Sequence, residues 1–280
     1  MSETLAEADF RNGHRYFAES DELMRFLLKY SPNDSEVPYY HPENAKLPYM
    51  VPTPKWVKPN RDLGAFPGGP GTTHCAERFP KHGILVLAHD YDSLQRYRHA
   101  IDHGYDGVQN MTFRDLCKMF KEGTKNDFAL DDCFFTNRFM GVRKVVKDGE
   151  KEPKNSQSGK NPSSEFPDYL DMCEAVLTKT LDLLEPSLVI TVGKPASTTL
   201  GLGEQHWKLR GVDQVTMFGH ETKLICLTHP GTQFYKGNVE KVPPYCDRAG
   251  NLHSGRKGQL ALISDAWDTY KQIKAATVRS

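Results

Sequence analysis

The chain is predicted to be an α/β protein, with a three-layer αβα arrangement around a central, mostly parallel, four-stranded sheet. Short apolar runs alternate with longer amphipathic segments, which is the pattern of βαβ units. The strand-like runs fall at 84–87, 133–135, 188–192 and 224–227. Each runs directly into polar, chemically capable residues: His89-Asp90, Thr136-Asn137-Arg138, Gly193-Lys194 and Thr228-His229-Pro230. In an open parallel sheet the carboxyl ends of the strands share one edge, where ligands bind.

Taken in order, the first thirty residues carry Phe10, Tyr16, Phe17, Leu23, Met24 and Leu27 at helical spacing and predict an N-terminal helix. From 37 to 81 the chain is rich in proline and glycine, with Trp56 and GAFPGGPGTTH, and reads as an irregular extension. A polar tract, KDGEKEPKNSQSGKNPSSE, precedes a predicted helix over 168–184, with Met172, Val176 and Leu183 on one face, stopped by Pro186. Residues 215–218 offer a further strand, turned at Gly219. A C-terminal helix is predicted through Leu260, Ile263, Trp267 and Tyr270. The whole of 1–280 is expected to be a single domain: 1–80 extension, 81–235 core, 236–280 long loop and closing helix.

With 38% hydrophobic and 26% charged residues, the 280-residue chain can bury a full core. It has no run of about 18 apolar residues, and MSETLAEADF lacks the regions of a secretory signal, so a soluble, cytoplasmic monomer is expected. The six cysteines form no C-x-x-C pair, which suits reduced core thiols, Cys133 and Cys226 above all, better than a disulfide framework or zinc site. Thirty-six basic residues balance thirty-six acidic ones, so any nucleic-acid footprint has to be local.

Polar residues at strand ends also serve as turn formers and helix caps. The ordered set is more informative than any one of them. ILVLAHDYDS, CFFTNRFMGVRK, EPSLVITVGKPAS and CLTHPGTQF resemble, in that order, the motifs of the uracil-DNA glycosylase superfamily, over roughly 83–234. The resemblance implies a uracil-DNA glycosylase-like fold and a monofunctional DNA glycosylase that flips a base from DNA and hydrolyses its N-glycosidic bond, leaving an abasic site. Departures accompany the matches. Ala88 and His89 stand where Gly and Glu or Gln are usual, Tyr91 and Asp92 follow the catalytic position, and His229-Pro230-Gly231 replaces His-Pro-Ser. The cysteine constellation of the iron–sulfur members is missing, so neither cluster, metal nor other cofactor is expected.

Cleavage of the bond develops positive charge on the sugar and negative charge on the base, so an anion and a hydrogen-bond donor are needed. Asp90 is the expected water-activating carboxylate, and His229 the donor to a carbonyl oxygen of the leaving base. Asn137 can read the edge of a flipped base, presenting both donors and an acceptor. His89, Tyr91 and Asp92 are expected to line the base pocket, with Phe113 the stacking candidate. Phe234 and Tyr235 can wedge into the gap left by extrusion. Lys194 and Lys236 are the favoured phosphate contacts, with Arg138, Arg143, Lys144, Arg256 and Lys257 the wider basic set.

Tyr91, Asp92 and Ser93 add polar groups near the expected pocket, and the polar segments 146–164 and 237–258 are long enough to line an enlarged cavity. The expected substrate is therefore a bulky, polar, 5-substituted pyrimidine such as glucosylated hydroxymethylcytosine in phage DNA. Uracil in repair is the first alternative. A small-molecule nucleoside hydrolase is the second, although no P-loop spacing or aspartate-rich metal loop supports it.

Overall fold

The structure is a computed structural model that describes residues 80–89, 111–129, 132–138, 167–193, 196–197, 200, 211–230 and 244–277, with the side chains of 111–113 and 167–172 excepted. The predicted N-terminal helix and the extension over 37–79 lie outside the described residues. In chain order the elements are β1 (Ile84–Ala88), α1 (Met111–Gly123), β2 (Cys133–Asn137), α2 (Pro167–Leu184), β3 (Leu188–Val192), β4 (Asp213–Met217), β5 (His220–Leu227), β6 (Tyr245–Cys246), β7 (Leu252–His253) and α3 (Gly255–Thr277).

The chain divides into two compact units. One comprises 80–89, 109–135 and 184–280; the other holds the end of β2 from Thr136 and nearly all of α2. The sheet has five strands in the order β2-β1-β3-β5-β4. β3 pairs in parallel with β1, Ile84 opposite Leu188, and with β5, Ile190 opposite Ile225. This corrects the predicted count of four. β4 joins as an antiparallel edge, Met217 opposite His220, through the two-residue turn Phe218-Gly219. Both turn residues have positive φ, 48° and 88°, the combination that matches the twist of a tight hairpin and that glycine adopts without a Cβ penalty.

The strands are apolar because both faces of the sheet are covered. All five residues of β3 and the first four of β1 are buried, as in parallel sheets generally. One face packs Ile84, Val86, Ile190, Val192, Ile225 and Leu227 against Leu116, Met119 and Phe120 of α1 and Leu262, Ile263 and Trp267 of α3. The buried stripe of α3 runs through Gln259, Leu262, Ile263, Ala266, Trp267 and Tyr270. Leu262 thus takes the core position that the sequence pattern assigns to Leu260. Rings continue the packing, with Phe120 5.0 Å from Phe128, Phe128 5.9 Å from Trp267 and Trp267 5.4 Å from Tyr270 between centroids. The indole N–H of Trp267 donates to Asp127 at 2.9 Å, and Lys271 binds the same carboxylate at 2.8 Å.

Residues 244–254, predicted as part of a long loop, instead form the β6–β7 hairpin, Tyr245 opposite His253. Asp247 organises its turn, accepting from the N–H groups of Ala249 and Asn251 at 3.0 and 2.8 Å and from His253 Nε2 at 2.8 Å. Tyr245 anchors the hairpin on α3, its hydroxyl donating to Asp265 at 2.6 Å.

In the other unit, α2 begins one residue before the predicted 168–184 and ends at Leu184 as predicted. Among its described side chains the buried positions are Cys173, Val176, Leu177, Thr180, Leu181 and Leu184, so the face runs through Val176 but not the half-buried Leu183.

Candidate functional site

β1, β3 and β5 are neighbours running in one direction, and Leu87, Thr191 and Cys226 lie on a single rung. Two residues beyond that rung stand His89, Gly193 and Thr228, with His229 next after Thr228. The three strands therefore leave the sheet at the same level, and two imidazoles sit on one edge.

The edge is tied together locally. Gly193 has φ 88°, and its N–H donates to Leu227 carbonyl at 2.8 Å, joining the end of β3 to the end of β5. Past it, the buried hydroxyls of Thr191 and Ser197 share a hydrogen bond of 2.7 Å, and Ala196 N–H returns to Gly193 carbonyl at 3.2 Å. Gly193, Ala196 and Ser197 of the VGKPAS motif are thus tied to the ends of β3 and β5. Thr228 is buried, and both its N–H and its hydroxyl donate to Oε1 of Gln259, at 2.9 and 3.1 Å. His229 is half-buried and Pro230 buried.

Of the predicted site residues, His89 and His229 fall on this edge. Asn137 is the half-buried last residue of β2. Phe113 is the third residue of α1, with its side chain outside the described part of the molecule. Asp90, Tyr91, Asp92, Lys194, Phe234, Tyr235 and Lys236 lie outside the described residues.

Two of the wider basic set are corrected. Arg138 is 1% exposed, and its Nη2 donates to Glu174 at 2.6 Å, so its charge is committed inside the protein and is not offered to phosphate. Arg256 lies in the first turn of α3, where it pairs with Glu122, because helix α3 starts earlier than the predicted loop allowed.

No protein-family model matches the chain, and no curated protein is significantly similar to it.

The displaced titrations among the described residues belong to the supporting structure. Hydrogen bonds from His253, then from Asn251, hold the Asp247 carboxyl at about 2. The bond from Lys271, followed by that from Trp267, lowers the pKa of Asp127. Burial raises the phenols of Tyr245 and Tyr270, with help from Asp265 and Asp132 respectively. Burial also pushes the Cys117 thiol up to about 12 against the opposing charge of Lys121. Of the described cysteines, Cys133, Cys173 and Cys226 are buried in the core, Cys117 is half-buried and Cys246 is exposed.

Among the described residues no three His, Cys, Asp or Glu side chains are grouped to hold a metal ion, and no helix is long and apolar enough to cross a membrane. A depression of about 350 Å³ lies at the amino ends of the strands, lined by His82, Glu185, His220, Glu221 and Lys223 among others. It contains none of the predicted site residues, and of the motifs only Glu185, Pro186 and Ser187. Glu185 on its rim is paired with Lys81 at 3.1 Å. The carboxyl edge is the stronger site, since parallel sheets place ligands there.

Sequence reasoning missed Gln259. The signal was present: a glutamine three and four residues before Leu262 and Ile263 occupies a position of the apolar stripe that packing alone would fill with a hydrophobe.

Proposed function

We infer that the protein is a DNA glycosylase that acts on a base flipped out of DNA. The observation that carries this reading is the shared edge: β1, β3 and β5 run parallel and end level, with His89, Gly193 and Thr228-His229 beyond the same rung. Asp90, the next residue after His89, supplies the carboxylate. Water attacks C1′ of the sugar and gives its proton to Asp90, while the C1′–N bond breaks and its electron pair departs with the base. His229 donates a hydrogen bond to the carbonyl oxygen on which that charge collects. Asn137 reads the base through its amide.

The preferred substrate is a bulky, polar, 5-substituted pyrimidine, as in phage DNA carrying glucosylated hydroxymethylcytosine, which gives the enzyme a role in antiviral defence. Tyr91 and Asp92 support this reading, since a pocket with groups that bind sugar hydroxyls disfavours a base without them.

The experiment compares abasic-site formation on glucosylated phage DNA, isogenic unmodified DNA and a uracil-containing duplex, with free nucleosides as a fourth arm. Release from the glucosylated DNA is expected. Release from the uracil duplex alone would leave ordinary uracil repair, and cleavage of nucleosides alone a small-molecule hydrolase.

A further inference from the structure

Gln259 is completely buried on the α3 stripe that otherwise carries Leu262, Ile263, Ala266, Trp267 and Tyr270. A leucine there would fill nearly the same volume with no polar atom to satisfy. Instead, Oε1 accepts both the N–H and the hydroxyl of Thr228, at 2.9 and 3.1 Å. The backbone donor fixes the orientation of the amide, because only its oxygen accepts. Nε2 is left buried without a hydrogen-bond partner. Native interiors rarely keep such a donor, so its retention calls for a compensating role for the other end of the side chain.

That role lies just beyond Thr228. This threonine is the first residue past β5, where the ladder to β3 has ended, and the next residue is His229. We propose that Gln259 is the positioning residue for His229: by clamping the Thr228 peptide and hydroxyl to α3, it fixes the point and direction from which the imidazole leaves the sheet. The proposal rests on His229 acting as donor to the leaving base, and it needs no contact between Gln259 and DNA. An oxyanion donor works only within hydrogen-bond reach of the atom that gains charge, so a small shift of its peptide is costly to the reaction.

The test compares wild type, Gln259→Leu and Gln259→Glu. Three readouts are taken: amide exchange at Thr228, the NMR signals of the His229 imidazole, and single-turnover excision with DNA affinity on whichever DNA the wild type cuts. Gln259→Leu is expected to speed Thr228 amide exchange about tenfold or more, to shift the His229 signals while those of His253 stay in place, and to slow excision about 10- to 100-fold with DNA affinity within about twofold. Gln259→Glu keeps an acceptor and is expected to restore both Thr228 protection and most of the rate. Unchanged His229 signals and an unchanged rate in Gln259→Leu would overturn the proposal. If the wild type cuts no DNA, the functional reading falls, and the Thr228 and His229 signals still decide the role of Gln259. Should Gln259→Leu fail to fold, Thr228→Val, which keeps the backbone bond to Gln259 and loses the hydroxyl one, takes its place; a smaller shift of the same His229 signals supports the proposal and no shift overturns it.

Discussion

Arg138 donates from Nη2 to Oε1 of Glu174 at 2.6 Å, with the arginine 1% and the glutamate 43% exposed. The charge that is hard to hydrate belongs to Arg138, while Glu174 still meets water. Loss of the two partners should therefore be unequal. Glu174→Ala takes a carboxylate from 2.6 Å of a buried guanidinium and should cost more than the roughly 0 to 1 kcal/mol of an exposed ion pair. Arg138→Met leaves a carboxylate that water can reach and should cost less. Denaturant titration of the two variants checks the order, and equal losses would refute the account. Arg138→Met should also leave the salt dependence of DNA affinity unchanged, since that side chain is not offered to phosphate.

Asp90→Ala should slow base release by about 100-fold or more while leaving affinity for undamaged DNA nearly intact, as expected on removing a general base. Single-turnover rates beside equilibrium binding read the two effects separately. A wild-type rate would remove Asp90 from the mechanism.

His229→Ala should lose roughly 3 kcal/mol of transition-state stabilisation, the scale of an oxyanion donor. Asn137→Ala should slow the reaction as well and weaken discrimination among bases. Melting temperatures of both variants should stay close to wild type. A large fall in either would mark the residue as a strand-end cap.

Asp247 carries a pH dependence whose sign is set by its bonds. The carboxyl titrates at about 2 in the folded protein, against an ordinary 3.8. A depressed carboxylate stabilises the fold above its unfolded value, and the contribution disappears as pH falls through the folded one. Asp247→Asn should thus melt below wild type at neutral pH, and the difference should close between about pH 4 and pH 2. Melting curves across that range test it; a gap that stays constant would contradict the assignment.

Among the described cysteines, thiol alkylation should begin at Cys246, which is exposed, and reach Cys117 late. Burial keeps the Cys117 thiol protonated up to about 12, and the thiolate is the reactive form. Mass spectrometry of a time course with iodoacetamide at mild pH gives the order directly.

Legibility in the sequence tracks burial. β3 is legible at its true bounds and β1 to within one residue, because strands covered on both faces are written as continuous apolar runs. β5 is legible only from Leu224, since its first half, His220 to Lys223, is mostly polar and partly exposed. The β6–β7 hairpin carries no alternation to find; its signal lies in turn chemistry, the Asp247, Gly250 and Asn251 that bend it. Within the site, His89 and His229 are legible from their places after strands. Gln259 is not, because its partner Thr228 is 31 residues away in sequence and only the folded chain brings them together.

The pairing of β1 with β3 has a consequence for how the chain acquires its structure. Ile84 meets Leu188 across about a hundred residues, so closing that loop costs entropy before the pairing returns any stability. The β4–β5 hairpin, closed by two residues, faces no such delay. Refolding should then pass its slowest step when β1 docks, and a strand still waiting for its partner exposes an unpaired edge that favours association between chains at high concentration.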